Sequence, residues 1–407
     1  MKKLLSVLFA FLLLFSVAGC SSSEEAPEGE DTAKKLKVGM VCIGDTQEFY
    51  TAAHVDGLNA AAEKLGVETV FKYSAGDGGE KVQTALEDLV EEGCDLIISN
   101  SYGHQSHTLA VAQANPDIYF VASTGDNAAQ AKMDKYTNAF CSTYQARYVA
   151  GVVAGLKLQE LIENGSLADK NFDADGNVII GYVSAFPYAE CVSGYTSYYL
   201  GVKSVVNNVV MYVTYTNNWS NASLEKSGAE ALMAKGAVIL SQHADTNGCP
   251  SAVEAANTNG EVVYCVGYNG DFLKVAPNSC LTSAGNKWEI PYTYFIETVL
   301  AGGKFEDWNG GYEIGANFIT DLGSACAPGT AEKVKEVEDA IKNGTLHVFD
   351  ASTFTINGET PTEILADLDG DFAPETNCLI DGYFHESEYR SAPYFAASID
   401  GIISIDE

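Results

Sequence analysis

The chain has 407 residues, with 55 acidic against 23 basic side chains and a formal charge of −32. Hydrophobic residues make up 46% and aromatics 11%, enough for packed cores, and the length favours two lobes over a single core. A surface this negative repels phosphate backbones and anionic headgroups, so the composition argues against nucleic-acid and electrostatic membrane binding and leaves a neutral or cationic small molecule as the expected ligand.

In chain order, Met1-Lys2-Lys3 and the apolar run 4–17 have the n-region and h-region of a secretory signal, too short for a comfortable membrane span. Val17-Ala18-Gly19-Cys20 then resembles a bacterial lipobox, in which cleavage before the Cys exposes it to lipid modification. Residues 1–19 are read as a signal peptide and 20–35, acidic and poor in apolar groups, as a lipidated flexible tether. Acyl chains on Cys20 would hold the protein to the outer face of the cytoplasmic membrane without a spanning helix. The remaining nine cysteines are scattered, odd in number and without a C-x-x-C pair, the pattern of buried free thiols rather than of a disulfide framework.

From residue 36 onward short apolar runs alternate with helical periodicity. Strands are expected at 36–43, 68–73, 94–99 and 118–123, with helices at 50–65, 79–92 and 106–114 between them. After an apolar helix at 143–162 the cycle resumes. Strands are expected at 178–184, 209–215, 237–242, 261–268 and 281–284, and helices at 188–206, 222–235, 251–258 and 291–302. Such alternation predicts βαβ units, parallel sheets and two similar α/β lobes. Lobe 1 spans 36–150 with part of 285–345 returning to it, lobe 2 spans 151–284, and 346–407 form an extension packing on the lobes.

Ligands of open parallel sheets bind beyond the carboxyl ends of the strands, which directs attention to the loops there. They carry Gly44-Asp45-Thr46, Asn100 through His104, Thr124-Gly125-Asp126, Ala185-Phe186-Pro187-Tyr188, Asn217-Asn218-Trp219, His243-Ala244-Asp245-Thr246 and Asn269-Gly270-Asp271. The set combines aromatics, amides and single carboxylates with hardly a basic group. Aromatic faces suit a flat ring, and carboxylates and amides suit amino and hydroxyl donors. A phosphorylated ligand would call for Arg, Lys or a glycine nest. A neutral, planar ligand rich in hydrogen-bond donors is expected.

The run GDTQEFYTAAHVDG (44–57), NSYGH (100–104), YVAGVVAG (148–155), PYAECVSGY (187–195), SQHADT (241–246), VGYNGD (266–271) and LTSA (281–284) resembles the basic membrane protein family of bacterial lipoproteins, the solute-binding components of nucleoside and purine ABC importers. The resemblance runs in consistent order from about residue 36 to 349. It implies a type I periplasmic-binding fold, two doubly wound parallel-sheet lobes joined by a hinge, with a purine nucleoside or nucleobase between aromatic rings in the cleft. By position it implies ligand-binding roles for Asp45, Tyr50, Thr51, Tyr102, Trp219, Asp245 and Asp271, while Gly285-Asn286-Lys287-Trp288 departs from the family's Trp or Lys at that point. It also implies an ABC transporter permease as partner, and a monomer is expected.

No catalytic residues, cofactor or metal are expected. The chain has no G-x-S-x-G, phosphate-loop or H-E-x-x-H motif. Asp173-Ala174-Asp175-Gly176-Asn177 and Asp367-Leu368-Asp369-Gly370-Asp371 place their glycine at the fourth position and lack the twelfth-position Glu of a calcium loop, so they read as acidic turns. The rival readings are a receptor for another small polar ligand such as a sugar or autoinducer, and, from other classes, a surface enzyme or an adhesin.

Overall fold

A computed structural model describes residues 35–371 and 373–406; the expected signal peptide, most of the tether and Cys20 lie outside the described residues. The chain enters on β1 (Lys37–Val41) and continues through α1 (Phe49–Leu65), β2 (Glu68–Lys72), α2 (Glu80–Glu91), β3 (Leu96–Ser99), α3 (Gln105–Ala114), β4 (Tyr119–Ser123), the short α4 (Ala128–Ala131) and β5 (Tyr136–Cys141). It crosses on α5 (Thr143–Glu163) to β6 (Val178–Ser184), α6 (Ala189–Lys203), β7 (Val209–Tyr215), α7 (Ala222–Ala234), β8 (Ile239–His243), α8 (Gly248–Thr258), β9 (Tyr264–Tyr268) and β10 (Cys280–Asn286). Then follow α9 (Glu289–Leu300), β11 (Trp308–Gly310), β12 (Asn317–Ile319) and α10 (Thr330–Lys342). The small strands β13 (Leu365–Ala366), β14 (Thr376–Asn377), β15 (Leu379–Ile380) and β16 (Tyr383–Phe384) precede the terminal β17 (Ile402–Ser404).

Two sheets result, in the orders β11-β5-β4-β3-β1-β2 and β12-β10-β9-β8-β6-β7-β17. Within these two sheets every pairing is parallel except β10 with β12, and the separate two-stranded ribbons β13-β14 and β15-β16 are antiparallel. Parallel strands need crossover helices, and those helices cover both faces of each sheet. In the first sheet α1 and α9 pack on one face with Leu58, Tyr292 and Phe295, and α2 and α3 on the other with Leu86, Leu89 and Val111. The second sheet is covered by α5 and α6 on one face and by α7 and α8 on the other.

Local chemistry sets several boundaries. Helix α1 stops where Gly66 takes φ 69 and its N–H turns back to the carbonyl of Ala62, a left-handed cap that glycine adopts without a Cβ penalty. Strand β5 was absent from the sequence reading because YTNAFC interrupts its apolar run with Thr137 and Asn138. Both polar side chains are nevertheless buried and satisfied: Asn138 donates to Ala122 O at 3.0 Å, and Thr137 to Glu306 O at 2.9 Å. The described cysteines other than Cys326 are buried, and all of them are free. Among the described residues no helix is long and apolar enough to cross a membrane.

Residues beyond α10 add their aromatic rings to the α5–α6 core, with Phe349 stacked on Phe395 at 4.3 Å and on Tyr144 of α5 at 5.6 Å. The buried Glu386 carboxylate accepts the N–H groups of Ser387, Tyr394 and Phe395. This segment touches the edges of both sheets. Ser391 N–H bonds to Asp307, just before β11, at 2.7 Å, and β17 adds to β7 as the last parallel strand.

Candidate ligand-binding cleft

The strands of both sheets deliver their carboxyl ends to one place. From the first sheet come Ile43 after β1, Ser101 and Tyr102 after β3, and Thr124 after β4; from the second come Glu190 at the start of α6, Trp219 after β7, His243 and Asp245 at the end of β8, and Tyr268 ending β9. Together they line an inner pocket of about 20 Å³, room for about one water molecule. A larger chamber of about 330 Å³ adjoins it and shares Tyr102, Thr124 and Glu190. Its remaining walls include Asp126, Tyr188 and, from the C-terminal segment, Asp367, Arg390 and Tyr394.

Backbone conformation at this rim is unusual. Thr124, Asn217 and Asn269 follow β4, β7 and β9 with φ of 65, 50 and 66. For a β-branched residue such as Thr124 this costs about 1–3 kcal/mol, strain that persists because Thr124 N–H is held by Ala139 O at 2.8 Å. The same turn aims Thr124 into both cavities.

Aromatic rings form the second feature. Phe186 stacks on Tyr188 at 4.8 Å and meets Trp219 edge-on at 5.0 Å; Tyr102 lies 6.2 Å from Tyr188, and His243 4.8 Å from Tyr268. Tyr50, in the first turn of α1, lines the pocket and donates its hydroxyl to Asn100 O. Across the cleft Phe49 meets Phe272 edge-on at 4.6 Å, which brings the two halves into contact beside the pocket.

The polar groups are buried acids with little positive charge to balance them. Burial pushes the Glu190 carboxyl up to about 8, although Arg147 opposes the shift. Burial, then the nearby Glu48 and Glu225, hold Asp245 well above the usual carboxylate range, and Glu48 itself rises to about 7, chiefly by burial. Burial and then Arg147 keep the His243 imidazole neutral. The His243 Nε2–Glu190 contact at 3.2 Å is therefore a hydrogen bond between neutral partners at pH 7, not an ion pair. Arg147 is wholly buried behind them, donating to Gln242 O at 2.6 Å with its guanidinium 3.6 Å over the Tyr268 ring. Glu190, its carboxyl raised by burial, offers a donor at the pocket wall, whereas the unpartnered Nδ1 of His243 is buried facing Gly194 of α6.

These shifts have a signed consequence. A carboxyl whose folded pKa is raised binds protons more tightly in the folded state, so stability falls as pH rises from its unfolded value toward the folded one. That window runs from 4.5 to about 7 for Glu48 and to about 8 for Glu190. The buried histidines His54, His104 and His243 act in the opposite sense, but only below their unfolded value of 6.5. Between pH 6.5 and about 8 the carboxyls act alone, and the melting temperature is expected to fall across that interval. Glu190→Gln should flatten the slope; a melting temperature that rises instead between those pH values would refute the assignment.

Of the residues singled out from the sequence, Tyr50, Tyr102, Trp219 and Asp245 meet at the inner pocket. Three others line neither cavity. Asp45 is exposed and accepts Gln47 N–H at 2.8 Å; Thr51 is buried against Glu48 in α1; Asp271 accepts Leu273 N–H at 3.2 Å and pairs with Lys274 at 3.7 Å. Lys287 is exposed beside Glu289 at 3.8 Å, whereas Trp288 is a core residue stacked on His54 at 3.9 Å. His104, in the loop after β3, is fully buried and bonds Gly76 O at 2.7 Å. Glu190 and Tyr268 line the pocket without standing out in the sequence although they lie inside family-like segments, and His243 stands out there only as part of its strand-end loop. Arg390 lies outside every such segment and carries no signal in the sequence.

Comparison with known proteins agrees with this geometry. Residues 35–315 match the Bmp family model, described as ABC transporter substrate-binding protein, PnrA-like. A purine-binding protein of Brucella abortus is 28% identical over 339 residues, covering 82% of this chain and 86% of the relative. A putative ABC transporter glucose-binding protein of Haloferax volcanii is also 28% identical, over 331 residues, covering 81% of this chain and 77% of the relative. An ABC transporter solute-binding protein from Aeropyrum pernix K1 superposes with a TM-score of 0.65 at 17% identity, over 81% of this chain and 94% of that one, and shares the type I periplasmic-binding fold. With more than half its length matched and its strand ends converging on one cleft, the chain belongs to the PnrA-like family of ABC transporter substrate-binding proteins.

Proposed function

We propose that this protein captures a purine nucleoside or nucleobase between its two sheets and hands it to an ABC transporter permease, while lipid on Cys20 keeps it at the outer face of the cytoplasmic membrane. The observation that carries the ligand class is the pairing of aromatic walls, Tyr50, Tyr102, Trp219 and Tyr268, with Glu190, whose carboxyl burial raises to about 8 so that it can donate as well as accept. A purine edge offers alternating donors and acceptors, and its faces suit aromatic contact. The purine-binding relative supports the same class. The two sheets act as the lobes. A ring reaches the inner pocket when they part, and closure brings Phe49 and Phe272 together. The family role is solute binding rather than catalysis, and the cleft groups suit recognition of a neutral solute.

A sugar is the competing ligand, favoured by the glucose-binding relative. Thermal denaturation with adenosine, guanosine, inosine, their free bases and glucose separates the two. A ligand at one hundred times its Kd adds about 2.7 kcal/mol, enough to raise the melting temperature measurably. A purine compound is expected to do so. If glucose raises it and no purine compound does, the purine assignment is wrong.

A further inference from the structure

We propose that the C-terminal segment, beyond the family-matched residues 35–315, supplies a second subsite in which Arg390 and Asp126 grip the vicinal hydroxyls of a ligand's sugar ring. The inference rests on the cleft being the solute site and specifies which part of the solute the larger chamber receives.

Arg390 lines the chamber of about 330 Å³, a size suited to small ligands. Its side chain is 9% exposed, yet Nε and Nη1 have no hydrogen-bond partner, and Nη2 reaches only Pro393 O at 3.4 Å. Buried guanidinium donors left unmade are costly, so a ligand that accepts from them gains. Opposite stands Asp126, 14% exposed, with Oδ2 3.5 Å from Arg390 Nη1, an electrostatic contact without hydrogen-bond geometry. Asp126 is fixed from behind: Gln105 Nε2 donates to Oδ1 at 2.9 Å, and Tyr102 O–H reaches Oδ2 at 3.3 Å.

Charge selects the ligand class. Asp126 already balances the single guanidinium charge, and Asp367 also borders the chamber, so a phosphate or carboxylate would meet net repulsion. A neutral diol fits both partners, accepting from the guanidinium and donating to the carboxylate. The rings of Tyr102, Tyr188 and Tyr394 provide apolar faces for the carbons of a sugar. The shared wall of Tyr102, Thr124 and Glu190 lets one molecule place its base toward Trp219 and its sugar toward Arg390.

The test is isothermal titration of the full chain and of Arg390→Met with adenosine, guanosine and inosine, their free bases and their 2′,3′-dideoxy forms. Arg390→Met should weaken the nucleosides by about 10- to 100-fold and the bases and dideoxynucleosides by less than about 2-fold. Equal losses for base and nucleoside, or no loss, would overturn the subsite. If Arg390→Met lowers the ligand-free melting temperature, Asp126→Asn takes its place, since the amide oxygen still accepts from Gln105; it must show the same selectivity. A wild type that binds bases but no nucleoside overturns the subsite and leaves the purine reading intact. Glucose binding with no purine binding sinks the purine reading; Arg390→Met then decides the subsite by whether glucose affinity is lost.

Discussion

Gly151→Val is expected to destabilise the protein by at least about 3 kcal/mol, or to prevent folding at physiological temperature. Gly151 sits mid-way along α5, where that helix crosses α6, and a Cβ there would overlap the carbonyl oxygen of Tyr198. The contact is reciprocal: a Cβ at Gly201 in α6 would overlap Tyr148 O. Backbone meets backbone on both sides, so no rotamer change relieves the clash, and the helices must separate. Separation would open the core that unites Val149, Val152 and Val153 of α5 with Tyr198 and Val202 of α6. Denaturant titration followed by circular dichroism measures the effect. A variant within about 1 kcal/mol of the wild type would show that the helices do not meet at these glycines.

The second large effect falls on binding rather than stability. Trp219→Ala is expected to weaken purine binding by about 1–3 kcal/mol, the range measured for aromatic–base stacking elsewhere. Trp219 is only half-buried, and its contacts within the protein are to the rings of Phe186, Tyr188 and His243. Its backbone carbonyl, which accepts Asp245 N–H at 2.8 Å, survives the substitution, so the loop retains its tie. The melting temperature of the ligand-free variant should therefore stay near that of the wild type while affinity drops, and Trp219→Phe should recover most of the loss. Affinity unchanged in a folded Trp219→Ala variant would place the ring outside the site.

Regular elements were legible because their signals are local. The runs VIIGYVS and VVMYVTY are rich in β-branched and aromatic residues, and the structure gives strands at those residues. Strand β5 was not legible, since Thr137 and Asn138 are satisfied only by partners up to 169 positions away. The site divides in the same way. Tyr102, Trp219 and Asp245 were visible as chemistry at strand ends and Tyr50 through the family resemblance, and the fold brings them together. Asp45 and Asp271 have the same chemistry and the same kind of position. Their carboxylates turn instead to the backbone two residues onward, Gln47 and Leu273, the habit of Asp in turns.

The sequence by itself determined the α/β alternation, the family and the neutral, aromatic character of the cleft, because each follows from residue types in local order. Only the tertiary structure decided which acids are functional candidates. Burial pushes the carboxyls of Glu48, Glu190 and Asp245 above the usual range, an energy that depends on neighbours distant in the chain. The same holds for the one basic group in the larger chamber's wall. Arg390 is an unremarkable arginine in the sequence, and it meets Asp126 only because the C-terminal segment crosses from the edge of one sheet to the edge of the other.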